Sequence, residues 1–449
     1  MQNAEKTITF VRRRLPWLLM GIMALVYCFT LSRWITFTSV ATQAQVFGWD
    51  WRPAVTAPLY FLLTFPLRGL PAAWQIPGLN LFSALCAAAA LGLLARSILI
   101  LPYDRTRDTR EMEHDEHSLL SIRTNWVPPL LAVLVCGLQL SFWEHAVSAS
   151  YEALDLLLFA YVIWELLEYR LDQREARLIR MALVYGMGVA NNFAFIGFAP
   201  AFLVAVIWIK GWSFFNLRFL LSAALAGVAG MSLYFVYPTI HHLGGMTDLG
   251  FWELMRTVLG AQKNALFGFP RFILPLIGLT SLFPVFFMGI KWPHNFGDAS
   301  AVGTALTNLM THVMHGVFLL ACLYVSFDQT FSPRRLGNGF ALLPFYYLGA
   351  LGIGYFSGYF LLVLSRERVA TVWRRNPPFW RKAMFFAMRG MVWAALVAVP
   401  AGLVWKNVPK LRVSSSDLLH QFCMLTAQSL PSMGGIIMAD DPPRLMAVQ

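Results

Sequence analysis

The chain has 449 residues, of which 58% are apolar and only 13% are charged. A soluble domain of this size could not hide so much apolar surface and still present a charged exterior, so the composition excludes an ordinary soluble protein. The formal net charge is +12, but no known nucleic-acid-binding motif accompanies it, and we expect no nucleic-acid partner. The composition instead predicts a protein whose partners include membrane lipids.

Apolar runs that approach or exceed the length needed to cross a bilayer core, about 17–25 residues, recur along the chain. They cover residues 15–34, 76–101, 127–142, 151–168, 218–238, 272–290, 301–326, 341–365 and 387–405. We therefore predict an all-α fold, a polytopic transmembrane helical bundle with about ten membrane segments.

The first run is preceded by three consecutive basic residues, Arg12 to Arg14, and no small-residue cleavage site follows it. This pattern is typical of an uncleaved anchor. Downstream, residues 55–70 are apolar but are interrupted by Pro58 and Pro66. The segment is short for a span, so we predict a re-entrant or interfacial segment there.

Residues 181–209 form an apolar stretch between two basic segments that both look cytoplasmic. One tilted span would invert the topology of everything downstream, whereas two half-length helices broken at Asn191-Asn192 would not. We favour the broken hairpin, because it keeps Lys291 and the basic residues of 366–389 on the inner side. Non-helical backbone at membrane depth is tolerated only in a cavity or inside protein, so the break predicts a polar cavity.

The basic residues are distributed unevenly between the two predicted sides of the membrane. Of the 35 Lys and Arg residues, 23 fall in the segments assigned to the inner side and 12 in those assigned to the outer side. By the positive-inside rule, the amino terminus and residues 102–126, 169–180 and 366–386 are predicted to be cytoplasmic.

Two domains are expected along the chain. Residues 1–405 would form the transmembrane domain and residues 406–449 an outer, periplasmic tail. The tail contains a short strand-like run at 434–441 that ends in two acids. We expect the tail to be the start of a soluble domain in a longer protein.

Several short segments, spread over residues 20–265, share an order and spacing that carry a family resemblance. They are Pro58-Leu59-Tyr60, the run from Leu79 to Leu85, Phe142-Trp143 with Ala146-Val147, Ala153-Leu154, and Tyr234 with Tyr237-Pro238. In this pattern the chain resembles the domain-of-unknown-function 2723 family, bacterial membrane proteins related to protein O-mannosyltransferases within the GT-C glycosyltransferase superfamily. The resemblance implies a GT-C-like fold in the bacterial inner membrane.

The same resemblance implies an activity, the transfer of a sugar from a polyprenyl-phosphate donor to an extracytoplasmic acceptor. The family has an Asp-Ser-Gly-Glu motif in the first outer loop, and its place is taken here by Thr38-Ser39-Val40-Ala41. The enzyme could therefore be catalytically altered. A non-enzymatic membrane anchor or assembly module of the same fold is the alternative, and a transporter is a third interpretation.

One carboxylate, Asp50, lies in the first outer loop, where the resemblance implies a catalytic acid. A base is needed because an acceptor hydroxyl is a poor nucleophile until its proton is removed. Trp49 and Trp51 could stack on a sugar ring, and Arg52 could bind a phosphate. The alternative is an interfacial loop with both tryptophans in the aromatic belt and Asp50 paired with Arg52.

A second polar group lies around the start of the fourth span. Glu144 and His145 are predicted in the outer turn of residues 143–150, and Tyr151 and Glu152 open the span. Asp155 follows three residues later and shares a helix face with Glu152. Acids within a membrane segment usually face a cavity, although a hydrated helix start explains them equally well. We take Glu144 and Glu152 as further candidate catalytic residues.

Two other polar pairs stand in the carboxy-terminal half. His312 and His315 are three residues apart on one helix face, but two ligands do not make a metal site, and packing with interhelical hydrogen bonds is the favoured interpretation. Arg334 and Arg335, in the loop after that span, could bind a lipid phosphate or lie in a solvated turn. The sequence indicates no cofactor and leaves any divalent metal open.

Overall fold

The structure is a computed structural model that describes residues 9–49, 57–103, 118–243, 249–267, 301–330, 332–336, 341–370 and 379–430. Within these ranges the chain forms α-helices and short 3-10 turns, with no strand. The all-α prediction is therefore confirmed for the described residues. The predicted span at 272–290 and the strand-like run at 434–441 lie outside them.

The helices up to the hairpin are α1 (Leu15–Phe29), α2 (Val40–Phe47), α3 (Pro58–Thr64), α4 (Ala72–Leu99), α5 (Val127–Gly137), α6 (Leu140–Val147), α7 (Tyr151–Asp172), α8 (Glu175–Asn191) and α9 (Ala199–Lys210). They are followed by α10 (Leu217–Met231), α11 (Val236–Leu243), α12 (Phe251–Phe267), α13 (Ala301–Ser326), α14 (Pro333–Leu336), α15 (Leu343–Ala370), α16 (Phe379–Ser414) and α17 (Leu418–Gln428).

The described residues contain six helical segments that are long and apolar enough to cross a membrane, or seven if a bent pair counts as one span. This supports a membrane protein but does not reach the predicted ten. Two of the predicted spans differ for visible reasons: α1 has only 15 residues, and α7 carries four acids in its first 18 residues. Helix α1 is therefore too short, and α7 carries too many acids, to count as a candidate membrane span.

The predicted single span at 127–142 is wrong in its shape. The chain bends by 71° between α5 and α6, at Leu138 and Gln139. The carbonyl of Leu138 accepts a hydrogen bond from the Asn407 side chain at 2.9 Å, and the Gln139 side chain donates to the Ser326 carbonyl at 3.4 Å. Residues of α16 and α13 thus pair with the Leu138 carbonyl and with the Gln139 side-chain nitrogen, as a break in an apolar environment requires of its polar groups, whereas the Gln139 side-chain oxygen has no partner among the described residues.

The chain divides into two compact units. The first contains Met1–Met23, Leu91–Phe142 and Phe272–Pro409, and the second contains Ala24–Ala90, Trp143–Arg271 and Lys410–Gln449. In the first unit, Gly354 and Gly358 of α15 make room for Ile98 and for the hydroxyl of Tyr103, respectively. The predicted division at residue 405 stays a prediction.

The second unit is built around α7, α8 and α10. A buried apolar cluster joins these helices to α9, and its members are Val162, Leu166, Tyr169, Leu178, Met181, Val206 and Phe219. Helices α8 and α10 approach so closely that a Cβ atom on Gly186 or Gly230 would meet the backbone of the other helix. Small residues at such a crossing permit close van der Waals packing between helices in a bilayer.

Residues 175–210 form a hairpin in the second unit. Helix α8 ends at Asn191, a 3-10 turn covers Phe193–Phe198, and α9 then runs to Lys210. The Lys210 ammonium donates a hydrogen bond to the carboxylate of Glu175, so the two ends of the segment meet. The break at Asn191-Asn192 and the turn of the chain there are confirmed, but Phe193–Phe215 is itself long and apolar enough to cross a membrane, so the predicted half-length of its helix is not.

Candidate functional site

Several helix ends meet at one end of the second unit. The backbone N–H of Ser32, after α1, donates to the Val147 carbonyl at the end of α6. The Asn80 side chain of α4 donates to the Ser32 carbonyl at 2.8 Å, and the N–H of Ser150, before α7, donates to the Ser83 hydroxyl at 3.1 Å. The predicted outer turn of residues 143–150 is therefore bonded to the end of the first apolar run and to the start of the second.

Asp155 is the buried acid at this end, which we call the Asp155 end. Its two carboxylate oxygens accept hydrogen bonds from two consecutive amides, Asn191 at 2.6 Å and Asn192 at 2.9 Å. Asp155 is 1% exposed, so these are charge-assisted bonds shielded from water. The break between α8 and the 3-10 turn is therefore held by a carboxylate of α7.

Asn191 also bonds to the helix that follows the first outer loop. The Asn191 carbonyl oxygen accepts a hydrogen bond at 3.1 Å from the backbone N–H of Tyr60, in the first turn of α3. The first N–H groups of a helix have no partner within it, and Ala57, which precedes α3, provides no capping side chain. Asn191 thus serves as a capping residue from 131 positions away in the chain.

Glu152 lies one helical turn before Asp155 and is half-buried. Its backbone N–H donates to the hydroxyl of Ser150, the N-cap residue of α7, at 3.2 Å. None of the described residues donates a hydrogen bond to the Glu152 carboxylate or forms an ion pair with it. This carboxylate is therefore available to accept a proton, and Tyr151, also half-buried, is its neighbour.

Glu144 and His145 do not lie in a turn, as the sequence had indicated. Both belong to α6, are half-buried, and precede a linker of only three residues, Ser148 to Ser150. The Ser148 hydroxyl donates to the Glu144 carbonyl at 2.7 Å, so the helix retains a hydrogen bond at its last turn. The predicted outer turn of residues 143–150 is wrong in length for this reason.

The first outer loop is described only in part. Helix α2 ends at Gly48, which has a left-handed φ of 78°, and the half-buried Trp49 ring follows 5.4 Å from the ring of Phe47. Asp50, Trp51 and Arg52 lie outside the described residues. Their predicted roles stay predictions.

Residues 38–41, which replace the acidic motif of the family that the sequence resembles, include Ser39, which belongs to a hydrogen-bond network of uncharged side chains. Ser39 is fully buried, and its hydroxyl accepts hydrogen bonds from the Thr36 backbone N–H at 2.9 Å and from the Gln43 side chain at 3.3 Å. These contacts lie at the N-cap of α2, and none of the three residues has a carboxylate. A catalytic acid would have to come from another position.

Arg68 is a residue that the sequence analysis did not select. Its guanidinium donates to the carbonyls of Val46 and Gln45, at the end of α2, and lies over the rings of Phe61 and Phe65 at 5.4 and 5.0 Å. A single cation inside the otherwise apolar stretch 55–70 is the signal that could have identified it.

The arginine and histidine pairs lie in the first unit. Arg334 and Arg335 belong to the short helix α14, not to a loop, and are exposed, and the Arg334 guanidinium donates to the Ser141 hydroxyl at 3.2 Å. His312 and His315 are buried, and His312 bonds the Tyr359 hydroxyl of α15 at 3.0 Å. This confirms interhelical packing for the histidine that makes the bond.

The opposite end of α7 and α8 carries an ion-pair cluster that the sequence analysis also missed. Arg177 pairs with Glu165 at 3.2 Å, with Glu168 at 3.3 Å and with Asp172 at 2.7 Å. Arg180 pairs with Glu165 as well, at 3.3 Å. Three acids of α7 are thus neutralised by arginines that lie just after the turn.

A family match covers part of the chain. Residues 54–214 match the family described as the protein O-mannosyl-transferase TMEM260 N-terminal domain. No curated protein and no solved structure matches the chain. The matched residues include Tyr60, Glu152, Asp155 and the two asparagines. The chain is therefore similar, over residues 54–214, to the amino-terminal domain of protein O-mannosyltransferases.

Proposed function

We propose that this protein is a GT-C-type glycosyltransferase that transfers a sugar from a polyprenyl-phosphate donor to a hydroxyl group on the outer side of a bacterial inner membrane. The observation that carries the proposal is the match of residues 54–214 to an O-mannosyltransferase domain. The Asp155 end supports it, because its carboxylates and amides lie within the matched residues.

The reaction needs a base, and Glu152 is the described carboxylate best suited to act as one. The acceptor oxygen attacks the anomeric carbon of the sugar and forms the new glycosidic bond. The bond from that carbon to the phosphate oxygen breaks, the lipid phosphate leaves with the electron pair, and the acceptor proton passes to Glu152. A positioned general base contributes roughly 10²–10⁴-fold to such a step.

Two other carboxylates remain candidates for the same role. Asp50 lies in the loop where the resemblance implies the family's acid, and Glu144 lies in the helix before α7. Substrate binding in the second unit would involve Trp49, Trp51, Arg52, His145, Tyr151, Asn191 and Asn192, and Arg334 and Arg335 of the first unit are separate candidates for binding a lipid phosphate. The tryptophans would stack on the sugar, and the arginines would bind phosphate.

A transfer assay separates these bases. The full chain in lipid nanodiscs is given a labelled mannosyl polyprenyl phosphate and a peptide rich in serine and threonine. We expect Glu152→Gln to lower the rate by about 10²–10⁴-fold, because the amide cannot accept the proton. The matched control is Glu253→Gln, which changes an exposed acid of α12. A rate lost in Asp50→Asn and kept in Glu152→Gln would identify Asp50 as the base.

The non-enzymatic alternative has one observation in its favour. Thr36, Ser39 and Gln43 form a network of uncharged groups where the family has acids. This alternative predicts that the wild-type chain binds the lipid phosphate but transfers no sugar to the peptide. Such a result in the same nanodiscs would overturn the proposed function.

The proposal also requires the Asp155 end to face outward. The presence of Val147 and Ser150, which belong to the predicted outer turn, at this end supports that orientation. Single cysteines can test it in a variant whose five native cysteines are replaced by serine. An impermeant thiol reagent added from outside should label Gln45→Cys and Ser415→Cys but not Arg110→Cys, and the reverse pattern would overturn the topology.

A further inference from the structure

Arg68 has an environment that is unusual for a cation. It is half-buried in the short 3-10 segment Phe65–Gly69, after α3. Its two protein acceptors are backbone carbonyls, those of Gln45 and Val46, and two aromatic rings flank the guanidinium. These contacts hold the group in place but supply no negative charge.

No carboxylate among the described residues forms an ion pair with Arg68. Burial lowers the pKa of its guanidinium, since removal from water disfavours the charged form. A partly desolvated cation is costly unless an anion compensates it. A negative group at this position would therefore stabilise the Arg68 cation, and the described residues supply none.

The guanidinium retains the capacity to bind such a group. Arginine has five N–H donors, and the two contacts to carbonyls use only two of them. Gly48 lies beside it, and a Cβ atom there would be 3.7 Å from Nη2 and 3.9 Å from Nη1, which is van der Waals contact. Because Gly48 has no side chain, it places no side-chain atom against these nitrogens.

The side chains around Arg68 indicate what kind of molecule would carry the anion. Leu62, Leu63 and Phe65, in the same segment, are all more than a third exposed. Exposed apolar side chains in a membrane protein face lipid tails, so a ligand here would have an acyl or prenyl chain beside its charged group. A lipid phosphate combines these two features, and the planar fork of arginine matches phosphate geometry.

We propose that Arg68 binds the phosphate group of a lipid-linked substrate. This inference rests on the proposed function, since it assigns the charged part of the donor to a residue outside the Asp155 end. Arg68 would also bind the lipid phosphate that remains after transfer, because the phosphate is common to donor and product.

The test compares two lipids with the same tail. The full chain in detergent micelles is titrated with a polyprenyl monophosphate and with the corresponding polyprenol, and binding is followed by tryptophan fluorescence. We expect the wild type to prefer the phosphate, and Arg68→Gln to weaken phosphate-lipid binding by about ten- to a hundredfold. Arg256→Gln, which removes an exposed cation of α12, should leave the preference unchanged.

A second variant guards against misfolding. Arg68→Lys keeps the charge but loses the fork, so it should retain part of the preference and melt near the wild-type temperature. Inorganic phosphate at millimolar concentration should compete only weakly if the lipid tail contributes. Complete competition by inorganic phosphate would instead indicate a free-phosphate site and would overturn the lipid assignment.

Failures of the two proposals can be told apart. A wild type that prefers the phosphate lipid through Arg68 but transfers no sugar would overturn the function and leave this inference intact. An Arg68→Gln variant that binds the phosphate lipid like the wild type would overturn the inference. The inference also fails if Arg68→Gln loses transfer but keeps the preference, because Arg68 would then only hold the loop.

Discussion

The two ends of the α7–α8 pair differ in whether their acidic side chains contact arginines. At one end, Glu165, Glu168 and Asp172 each contact Arg177. At the other end, Asp155 contacts only neutral amides among the described side chains, and Glu152 has no such contact. Acids matched by arginines are suited to holding helices together. Acids left with their charge uncompensated are suited to binding a cation or accepting a proton.

The compensated end is built around a fully buried acid. Glu165 is 0% exposed and accepts a hydrogen bond from the Tyr161 hydroxyl at 2.7 Å in addition to its two arginine partners. The guanidinium of Arg177 also lies over the Trp164 ring at 5.8 Å. Removing Arg177 would leave Glu165 with the more exposed Arg180 as its one described arginine partner, and a buried charge whose pairing is weakened costs more than the pair contributed.

The largest effect on stability is therefore expected from Arg177→Met. The substitution keeps much of the apolar stem but removes the charge shared by three acids. We expect a loss of about 3–5 kcal/mol in the free energy of unfolding, the typical cost of breaking a buried ion pair, measured by reversible unfolding in mixed micelles.

The comparison is sharpened by a control at the same end. Arg174→Met removes an arginine whose side chain is 79% exposed, and it should change the stability by no more than about 1 kcal/mol. Folded Arg177→Met protein should transfer sugar at the wild-type rate. A selective loss of transfer in this variant would contradict a purely structural role for the compensated end.

The next effect is expected from Asp155→Asn, which is nearly isosteric. The substitution replaces two charge-assisted acceptor contacts by a neutral amide with only one acceptor oxygen. We expect a loss of about 1.5–3 kcal/mol in stability, the contribution of a hydrogen bond to a charged group. Asp155 acts here as a positioning residue through Asn191 and the Tyr60 backbone.

A structural role alone would not alter the kinetic parameters of the folded fraction. If the Asp155 end positions substrate, the folded Asp155→Asn protein should show a higher KM for the donor than the wild type does. Asn192→Ala, which removes one of the two amides, is the matched comparison and should raise KM less. Wild-type kinetics in folded Asp155→Asn would restrict this residue to stability.

The sequence identified local features well because they depend on nearby residues. The apolar run 301–326 coincides with α13, and the break at Asn191-Asn192 falls where two polar residues interrupt an apolar stretch. The predicted number of spans stays a prediction beyond the six or seven found in the described residues, and apolar content does not show that α5 and α6 bend apart at Gln139.

The site was predicted less completely, because its contacts join distant parts of the chain. Asp155 and Asn191 are 36 residues apart, and Asn191 and Tyr60 are 131 apart. A sequence pattern shows that Glu152 and Asp155 share a helix face. It does not show which of the two carboxylates accepts hydrogen bonds from the side-chain amides of Asn191 and Asn192. The importance of Arg68 was missed for the same reason, since its partners are backbone carbonyls that no motif encodes.

A further prediction concerns the crossing of α8 and α10, which involves none of the acidic residues at either end of the α7–α8 pair. In Gly230→Ala, the new methyl group would meet the Leu183 carbonyl and the Met187 N–H of α8. Overpacking of this kind costs typically about 1–3 kcal/mol, measured in the same micelles. Gly390→Ala, at a glycine with open space around it, should be neutral or slightly stabilising. Equal losses in both variants would contradict a tight crossing.

The smallest effect is expected at the ion pair that closes the α8–α9 hairpin, and it tests the comparison most directly. The Lys210 side chain is only 3% exposed, but its partner Glu175 is 56% exposed, and the Lys210 ammonium also lies 4.3 Å from the centre of the Phe219 ring. In Lys210→Met the apolar stem is kept, and Glu175 remains hydrated instead of buried. We expect a loss of no more than about 1 kcal/mol, as for an exposed ion pair. The double variant Lys210→Met/Glu175→Gln should be no less stable than Lys210→Met, because the ion pair between the two residues is already absent from the single variant. A loss as large as that of Arg177→Met would show that the burial of the acid does not decide which ion pairs hold this hairpin.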